Sequence, residues 1–376
     1  MYGFEENSVS WFKSYLGGRT QLVQVESKWS DVMSVGDHGA PQGSVLAGLI
    51  FIIYSNDFPA SSVHGQSIVY VDDNTDIVSH ANPNVLQTEI QMKADDSSEW
   101  LKDNRMCVAG TKSKLLIIGI KQQKKAAYQQ VDSFSVTIDG QKILESKSEK
   151  LLGLVISNDL TWRDYLHGEG CNIPGLICQL SRRVGMIKRL SKCVSKQRLK
   201  IFTEGLFYSK LNYCLPVFGH VFGLDLYHLQ GQKFAAYSKA DNRKLQVLQN
   251  TVMRILSGNK RDIPTIVLLE QTNSLSVHQS TAYQTLVLTH KIINTRKPAY
   301  LATKMCLHRD SGIILRSQEG NINQERYHLN SSRSRFLYRS AKLFNRLPTK
   351  LKLEERLRSF KHDVRIWVKE NVAVKP

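Results

Sequence analysis

The apolar residues of this 376-residue chain change their spacing near residue 157, and that change limits the fold more than any other feature. Upstream, hairpins and helices alternate irregularly. Val9, Phe12, Tyr15 and Leu16 lie at helical spacing, Gly17-Gly18 ends that segment, and residues 21–25 alternate as a strand. Asn82-Pro83 opens a capped helix expected to run to about Asp103 and to bury Val85, Ile90, Trp100 and Leu101. Residues 115–118 read as a buried strand, and residues 134–138 and 141–144 flank Asp139-Gly140 as a two-residue hairpin. From Trp162 onward the periodic segments are helical, near residues 177–190, 195–213, 241–256 and 276–293. Strands first and helices afterwards is an α+β pattern. The expected divisions are 1–157, 158–235 and 236–376.

Charge follows the same division. Residues 1–150 hold 14 Lys+Arg against 18 Asp+Glu, a net of −4, and the remainder holds 37 against 15, a net of +22. An acidic part joined to a strongly basic one fits a nucleic-acid enzyme, with metal held in the first and phosphate backbone by the second. Solvated helix faces would give the same composition, so charge alone does not decide. Arg182, Arg183, Lys188 and Arg189 fall in one helical segment, and Lys196, Arg198 and Lys200 in the early turns of the next. Cations at a helix N-terminus oppose its dipole, which favours an external anion as their partner. Arg333, Arg335, Arg339 and Lys342 interleave with Phe336, Leu337 and Tyr338; such aromatics can stack on bases, but at helical spacing they are more often core. Six cysteines without CxxC spacing argue for reduced intracellular thiols rather than a zinc site. The apolar run from residue 45 to 54 is too short for a bilayer, and the first residues carry no signal-peptide pattern.

Two motifs carry chemistry. Tyr70-Val71-Asp72-Asp73 sits between the β-rich runs at residues 67–69 and 75–78. Adjacent carboxylates repel, and a divalent cation with oxygen ligands removes that cost; an Asp-Asp pair is also ordinary turn chemistry. Upstream, Gly39-Ala40-Pro41-Gln42-Gly43-Ser44 must be a loop, since its glycines permit unusual dihedrals and Pro41 forbids a ladder bond. Ser44 can cap the apolar helix that follows. A loop with so few side chains admits a flat ligand close to its backbone.

Together the strings GAPQGSVLAGLIFIIYSNDFP and IVYVDDNTDIVSH resemble the reverse transcriptases of non-LTR (LINE-like, jockey-type) retrotransposons. Further matches follow in family order: Trp11 to Leu16 with Arg19-Thr20-Gln21, Asn104 to Ser113, Leu151 to Val155 with Leu160-Thr161-Trp162, and weakly Leu343 to Pro348. The resemblance implies part of a right-hand polymerase palm over 1–157, a mostly helical thumb-like region over 158–235 and a basic helical region over 236–376. It implies RNA-directed DNA polymerase activity by two-metal chemistry with Mg²⁺, or Mn²⁺ in its place. The partners it implies are an RNA template, a DNA primer or target and deoxynucleoside triphosphates, with no membrane. Asp72 and Asp73 would bind metal, and Lys112 would protonate departing pyrophosphate. Pro41, Gln42, Gly43, Ser44 and Tyr70 would shape the template and nucleotide side, and Leu152-Gly153 the primer grip.

One departure stands out. The family has an earlier palm strand whose aspartate binds both metals, and no Asp precedes Asp31 here. An N-terminally truncated palm with little activity of its own is therefore expected. The alternatives are a catalytically inactive basic nucleic-acid-binding remnant and an unfolded relic with an open sheet edge.

Overall fold

A computed structural model describes residues 3–36, 39–41, 43–169, 173–220, 238–259, 262–307, 320–323 and 336–374. The chain divides into two compact units, residues 1–115 with 122–145, and residues 116–121 with 146–376. The hairpin around Leu152-Gly153 thus belongs with the helical unit.

In the first unit the helix Glu6–Leu16 stops at Gly17, whose N–H bonds the Lys13 carbonyl, and Gly18 turns the chain at a φ of 64°. Residues 21–25 are not the single strand that their alternation predicts. Thr20–Gln21 pairs with Met33–Ser34, Gln24–Val25 pairs with Lys28–Trp29, and Val23 between them bonds Ser30. Leu22, Val23 and Val25 are all exposed, so no buried face holds the alternation in one register. The helix Val45–Tyr54 starts where expected, with Ser44 Oγ accepting from Leu46 N–H at 3.2 Å. Gln66–Tyr70 and Asp73–Ile77 form an antiparallel hairpin.

The helix Pro83–Asp103 is capped by Asn82, whose side chain accepts from the N–H groups of Asn84 and Val85. Its buried face differs from the expectation: Val85 is exposed, Ile90, Trp100 and Leu101 are half-buried, and Lys93, Ser97 and Ser98 are buried. Small and polar side chains fill this face because it meets polar groups. Gln87 and Gln91 line up with the strand Ser135–Ile138 as a side-chain ladder: Gln87 bonds Ser135 N–H and carbonyl at 3.1 and 2.6 Å, and Gln91 bonds those of Thr137, both at 2.9 Å. Two glutamines one helical turn apart thereby satisfy edge groups that a neighbouring strand would otherwise take. Ser135–Ile138 and Gln141–Ser146 form the expected hairpin across Asp139-Gly140, both at positive φ. The strand predicted over 115–118 is confined to Leu115–Leu116 and is only half-buried.

The second unit begins with the hairpin Ser148–Leu151/Leu154–Ser157 and continues as helices. One apolar cluster joins Leu154 and Val155 to Leu176, Leu180, Phe207 and Leu245; another joins Leu286 and Ile292 to Phe344, Phe360 and Val364. Leu176–Leu190 is the expected helix after Pro174-Gly175. The helix predicted from Ser195 differs in two ways. Ser195, a residue type suited to an N-cap, makes no side-chain cap bond, and after Lys196–Thr203 the chain widens into a π-turn at Glu204–Tyr208 before Ser209–Asn212. Capping boxes at Ser238 and Ser276 start Lys239–Ser257 and Val277–Thr295. Within the latter, Thr281, Thr285 and Thr289 are buried because each hydroxyl donates to the carbonyl four residues back, at 2.7–2.9 Å. Arg339 is buried too. Its guanidinium donates to the carbonyls of Pro216, Val217 and Gly219, closing the end of the helix Leu215–Phe218. It is therefore not part of a basic surface, whereas Phe336 and Leu337 pack on the core as their spacing predicts. Arg333 and Arg335 lie outside the described residues.

Candidate active site

The Gln66–Tyr70/Asp73–Ile77 hairpin places the acidic pair at its tip. Tyr70 pairs with Asp73, leaving Val71 and Asp72 as the two turn residues. Val71 has a φ of 57°, as a primed hairpin turn requires at this position. Glycine is the ordinary residue there; a β-branched side chain in that region is strained by about 1–3 kcal/mol. Tyr70, Val71, Asp72 and Asp73 are all exposed. Two exposed carboxylates suit Mg²⁺, which keeps several waters and takes phosphate oxygens alongside one or two protein ligands. They do not form a protein-only cage: no group of three or more His, Cys, Asp or Glu suited to a metal gathers among the described residues.

The loop before Val45–Tyr54 is tied to the first helix. The Tyr15 hydroxyl hydrogen-bonds Ser44 Oγ, and Arg19 donates to the Leu16 carbonyl at 2.8 Å and the Gly39 carbonyl at 2.7 Å. Ser44 thus caps its own helix while being held from the side, and the loop is gripped at both ends. Gly39 and Gly43 have φ of 66° and 82°, and a Cβ on either would meet nothing within 4 Å, so dihedral and not crowding requires glycine there. Pro41 is half-buried. Gln42 lies outside the described residues. The residues that grip the loop, Tyr15 and Arg19, are not separable by sequence from the rest of an amphipathic helix and its tail.

Lys112 is exposed in a turn over residues 109–113, its N–H bonding the Ala109 carbonyl. No hydrogen bond or ion pair brings it to Asp72 or Asp73 among the described residues. A groove between Pro83–Asp103 and the Ser135–Ile138/Gln141–Ser146 hairpin, lined by Gln91, Asp95, Glu99, Lys102 and Asp139, holds none of the expected site residues.

In the second unit Leu152-Gly153 forms a two-residue turn, both residues at positive φ. The Tyr213 hydroxyl donates to the Leu152 carbonyl at 2.5 Å, and a Cβ on Gly153 would lie 3.3 Å from the Tyr213 ring. The turn is therefore held by the segment that follows the π-turn. Beside it, Lys210 is pushed below the usual lysine range by burial, then by the neighbouring charges of Arg183 and Lys150. Arg182, Lys188, Arg189, Lys196, Arg198 and Lys200 are exposed, with Ile201 and Phe202 exposed among them.

Beneath the acidic hairpin lies a pair that the sequence reading did not select. Lys93 is buried and sits 3.7 Å from Asp76. Its signal was present in the helix pattern: Leu86, Ile90, Lys93, Ser97 and Trp100 fall on one stripe, which a lysine interrupts.

Over 250 residues the chain is 23% identical to a probable RNA-directed DNA polymerase from transposon X-element of Drosophila melanogaster, covering 65% of this chain. The chain spans 24% of the length of that relative. No protein-family model matches the chain, and no solved structure matches it at a significant level. Among the described residues, no helix is long and apolar enough to cross a membrane.

Proposed function

We propose that this chain carries part of the active site of a non-LTR retrotransposon reverse transcriptase, working on an RNA template, a DNA primer and deoxynucleoside triphosphates. The observation that carries this reading is the exposed Asp72-Asp73 pair, presented on a hairpin turn whose first residue is held in a strained conformation. In this reading Asp72 is the principal metal ligand and Asp73 its support, with Mg²⁺, or Mn²⁺ in its place, completed by water and substrate phosphate. Held by Asp72 and Asp73, a pair of such ions would supply two-metal chemistry, one lowering the pKa of the attacking 3′-hydroxyl and the other neutralising charge on the leaving pyrophosphate. The Gly39–Ser44 loop, gripped by Tyr15 and Arg19, offers open backbone to the template and nucleotide. Leu152-Gly153 holds the primer end, and Lys112 is the candidate proton donor to the leaving group.

The test is Mn²⁺ titration followed by electron paramagnetic resonance, with template–primer and a deoxynucleotide present. Near-stoichiometric binding that Asp72→Asn weakens at least tenfold is expected. Binding unchanged in Asp72→Asn, or absent from the wild type, overturns the reading.

The exposed cations of Leu176–Leu190 and Lys196–Thr203, interleaved with exposed Ile201 and Phe202, favour a second reading in which the helical unit binds nucleic acid without catalysis. RNA or DNA binding that falls steeply with salt and is untouched by Asp72→Asn supports it, provided the chain shows no metal-dependent extension.

A further inference from the structure

Lys93 presents a physical problem that its surroundings help to solve. It lies mid-helix in Pro83–Asp103, is 1% exposed, and its Nζ makes no hydrogen bond. A buried ammonium is tolerated only when paired, and its one ion-pair partner among the described residues is Asp76. The Asp76 carboxylate, 25% exposed at its side chain, is itself held from several sides: it accepts from Ser67 Oγ at 2.6 Å, Asn74 Nδ2 at 3.0 Å and Ser97 Oγ at 3.2 Å. Ser67 is the cross-strand partner of Asp76, Asn74 directly follows Asp73, and Ser97 is one helical turn beyond Lys93. The network therefore joins both strands of the hairpin to one helix and begins one residue from the acidic pair.

Two features point to positioning rather than stability. First, Val69 is half-buried on the face it shares with Asp76, but Ile68, Tyr70 and Ile77 are exposed by 53, 62 and 47%, so apolar burial by itself does little to fix which residue faces which. A slip of one residue would turn every side chain of a strand to the other face. Second, only the lysine of this pair is buried, Asp76 keeping 25% of its side chain exposed, and an ion pair half open to water adds little stability, whereas polar pairing can specify a unique register. Strand alternation adds a consequence: Asn74 and Asp76 share one face and Asp73 takes the other. The third carboxylate of the hairpin is thus engaged by Lys93, on the face opposite Asp73.

We infer that Lys93 is a positioning residue that, through Asp76, locks the register of the hairpin presenting Asp72 and Asp73. What the hairpin presents rests on the polymerase reading; the lock itself does not. The experiment compares Lys93→Met, Lys93→Arg, Asp76→Asn and the Lys93→Met/Asp76→Leu double variant in the full chain. Amide hydrogen exchange reads the hairpin, with the helix Val277–Thr295 as internal reference, and Mn²⁺ titration with template–primer and nucleotide reads the acidic pair.

Lys93→Met and Asp76→Asn are expected to lose at least tenfold of the protection at Ile68 and Thr75, which face each other as a hydrogen-bonded pair of the ladder, while the reference helix keeps its own, and to bind Mn²⁺ several-fold more weakly. Lys93→Arg should recover part of both, and the double variant should recover global stability but neither hairpin protection nor metal affinity. Unchanged protection in Lys93→Met, or full recovery of both readouts in the double variant, overturns the inference. Lost protection in a chain whose wild type binds no Mn²⁺ supports the lock and removes the polymerase reading.

Discussion

The helices Val45–Tyr54 and Val277–Thr295 invert the usual relation between composition and burial. The first is apolar at almost every position and buries none of its residues; the second mixes threonine, histidine and glutamine with its apolar residues and buries eleven. The two units differ in the same way. Among the described residues, the buried apolar ones of the first unit are Phe58, Phe134 and Val136, whereas those of the second make three clusters. Burial is set by what an element meets, and polar residues enter a core when their hydrogen bonds are closed locally. The acidic pair stands in the unit with little core, where a polar network does what packing does elsewhere.

The largest expected contrast is in core truncation. Phe360 is fully buried and stacks on His290 with ring centroids 3.9 Å apart. Phe360→Ala should cost about 3–5 kcal/mol, while Ile52→Ala, at a position 60% exposed, should cost less than about 1 kcal/mol. Urea unfolding monitored by circular dichroism checks this; equal losses would break the comparison between the units.

Acid should weaken the helical unit next. His220 is pushed down to about 3, chiefly by burial and then by the Arg339 charge, and burial also lowers His290. A base with a depressed folded pKa binds fewer protons folded than unfolded, so its stabilisation is complete above pH 6.5 and is lost as pH falls toward 3. The loss should be on the order of a few kcal/mol across that window, and His220→Gln should flatten it in melts taken from pH 7 to 4.

The smallest contrast separates two glycines. Gly153→Ala meets both a φ of 85° and the Tyr213 ring, and should cost about 1–2 kcal/mol; Gly39→Ala meets only a φ of 66° in open space, and should cost about 1 kcal/mol or less. Denaturation midpoints of the two variants sharpen the difference between a glycine whose Cβ position is crowded by a ring and one whose Cβ position is open.

Local chemistry made some of this legible in sequence. The β-rich runs around Tyr70-Val71-Asp72-Asp73, the Asn82-Pro83 cap, the Ser44 cap and the Asp139-Gly140 turn all produce the elements that they predict, because each depends on a few adjacent residues. What failed depends on distant partners. Nothing near residue 23 announces that Ser30 will split the strand, and Arg339 reads as surface charge until the carbonyls at 216–219 come to it. Lys93 sat in plain view within an apolar stripe, yet only Asp76 gives its place a reason. In the candidate site, the Asp72 turn was readable, whereas the Tyr15 and Arg19 grip on the loop was not.

The bond from Arg339 to the Gly219 carbonyl spans 120 residues. At about 5–20 residues per second, the ribosome needs about 6–24 seconds to make that stretch. During this interval the carbonyls at 216, 217 and 219 have no guanidinium to accept from, and the apolar surface around Leu286 and Ile292 that awaits Phe344, Phe360 and Val364 stays wet. The end of the helix Leu215–Phe218 is thus completed late in synthesis, once the chain has run on to Arg339.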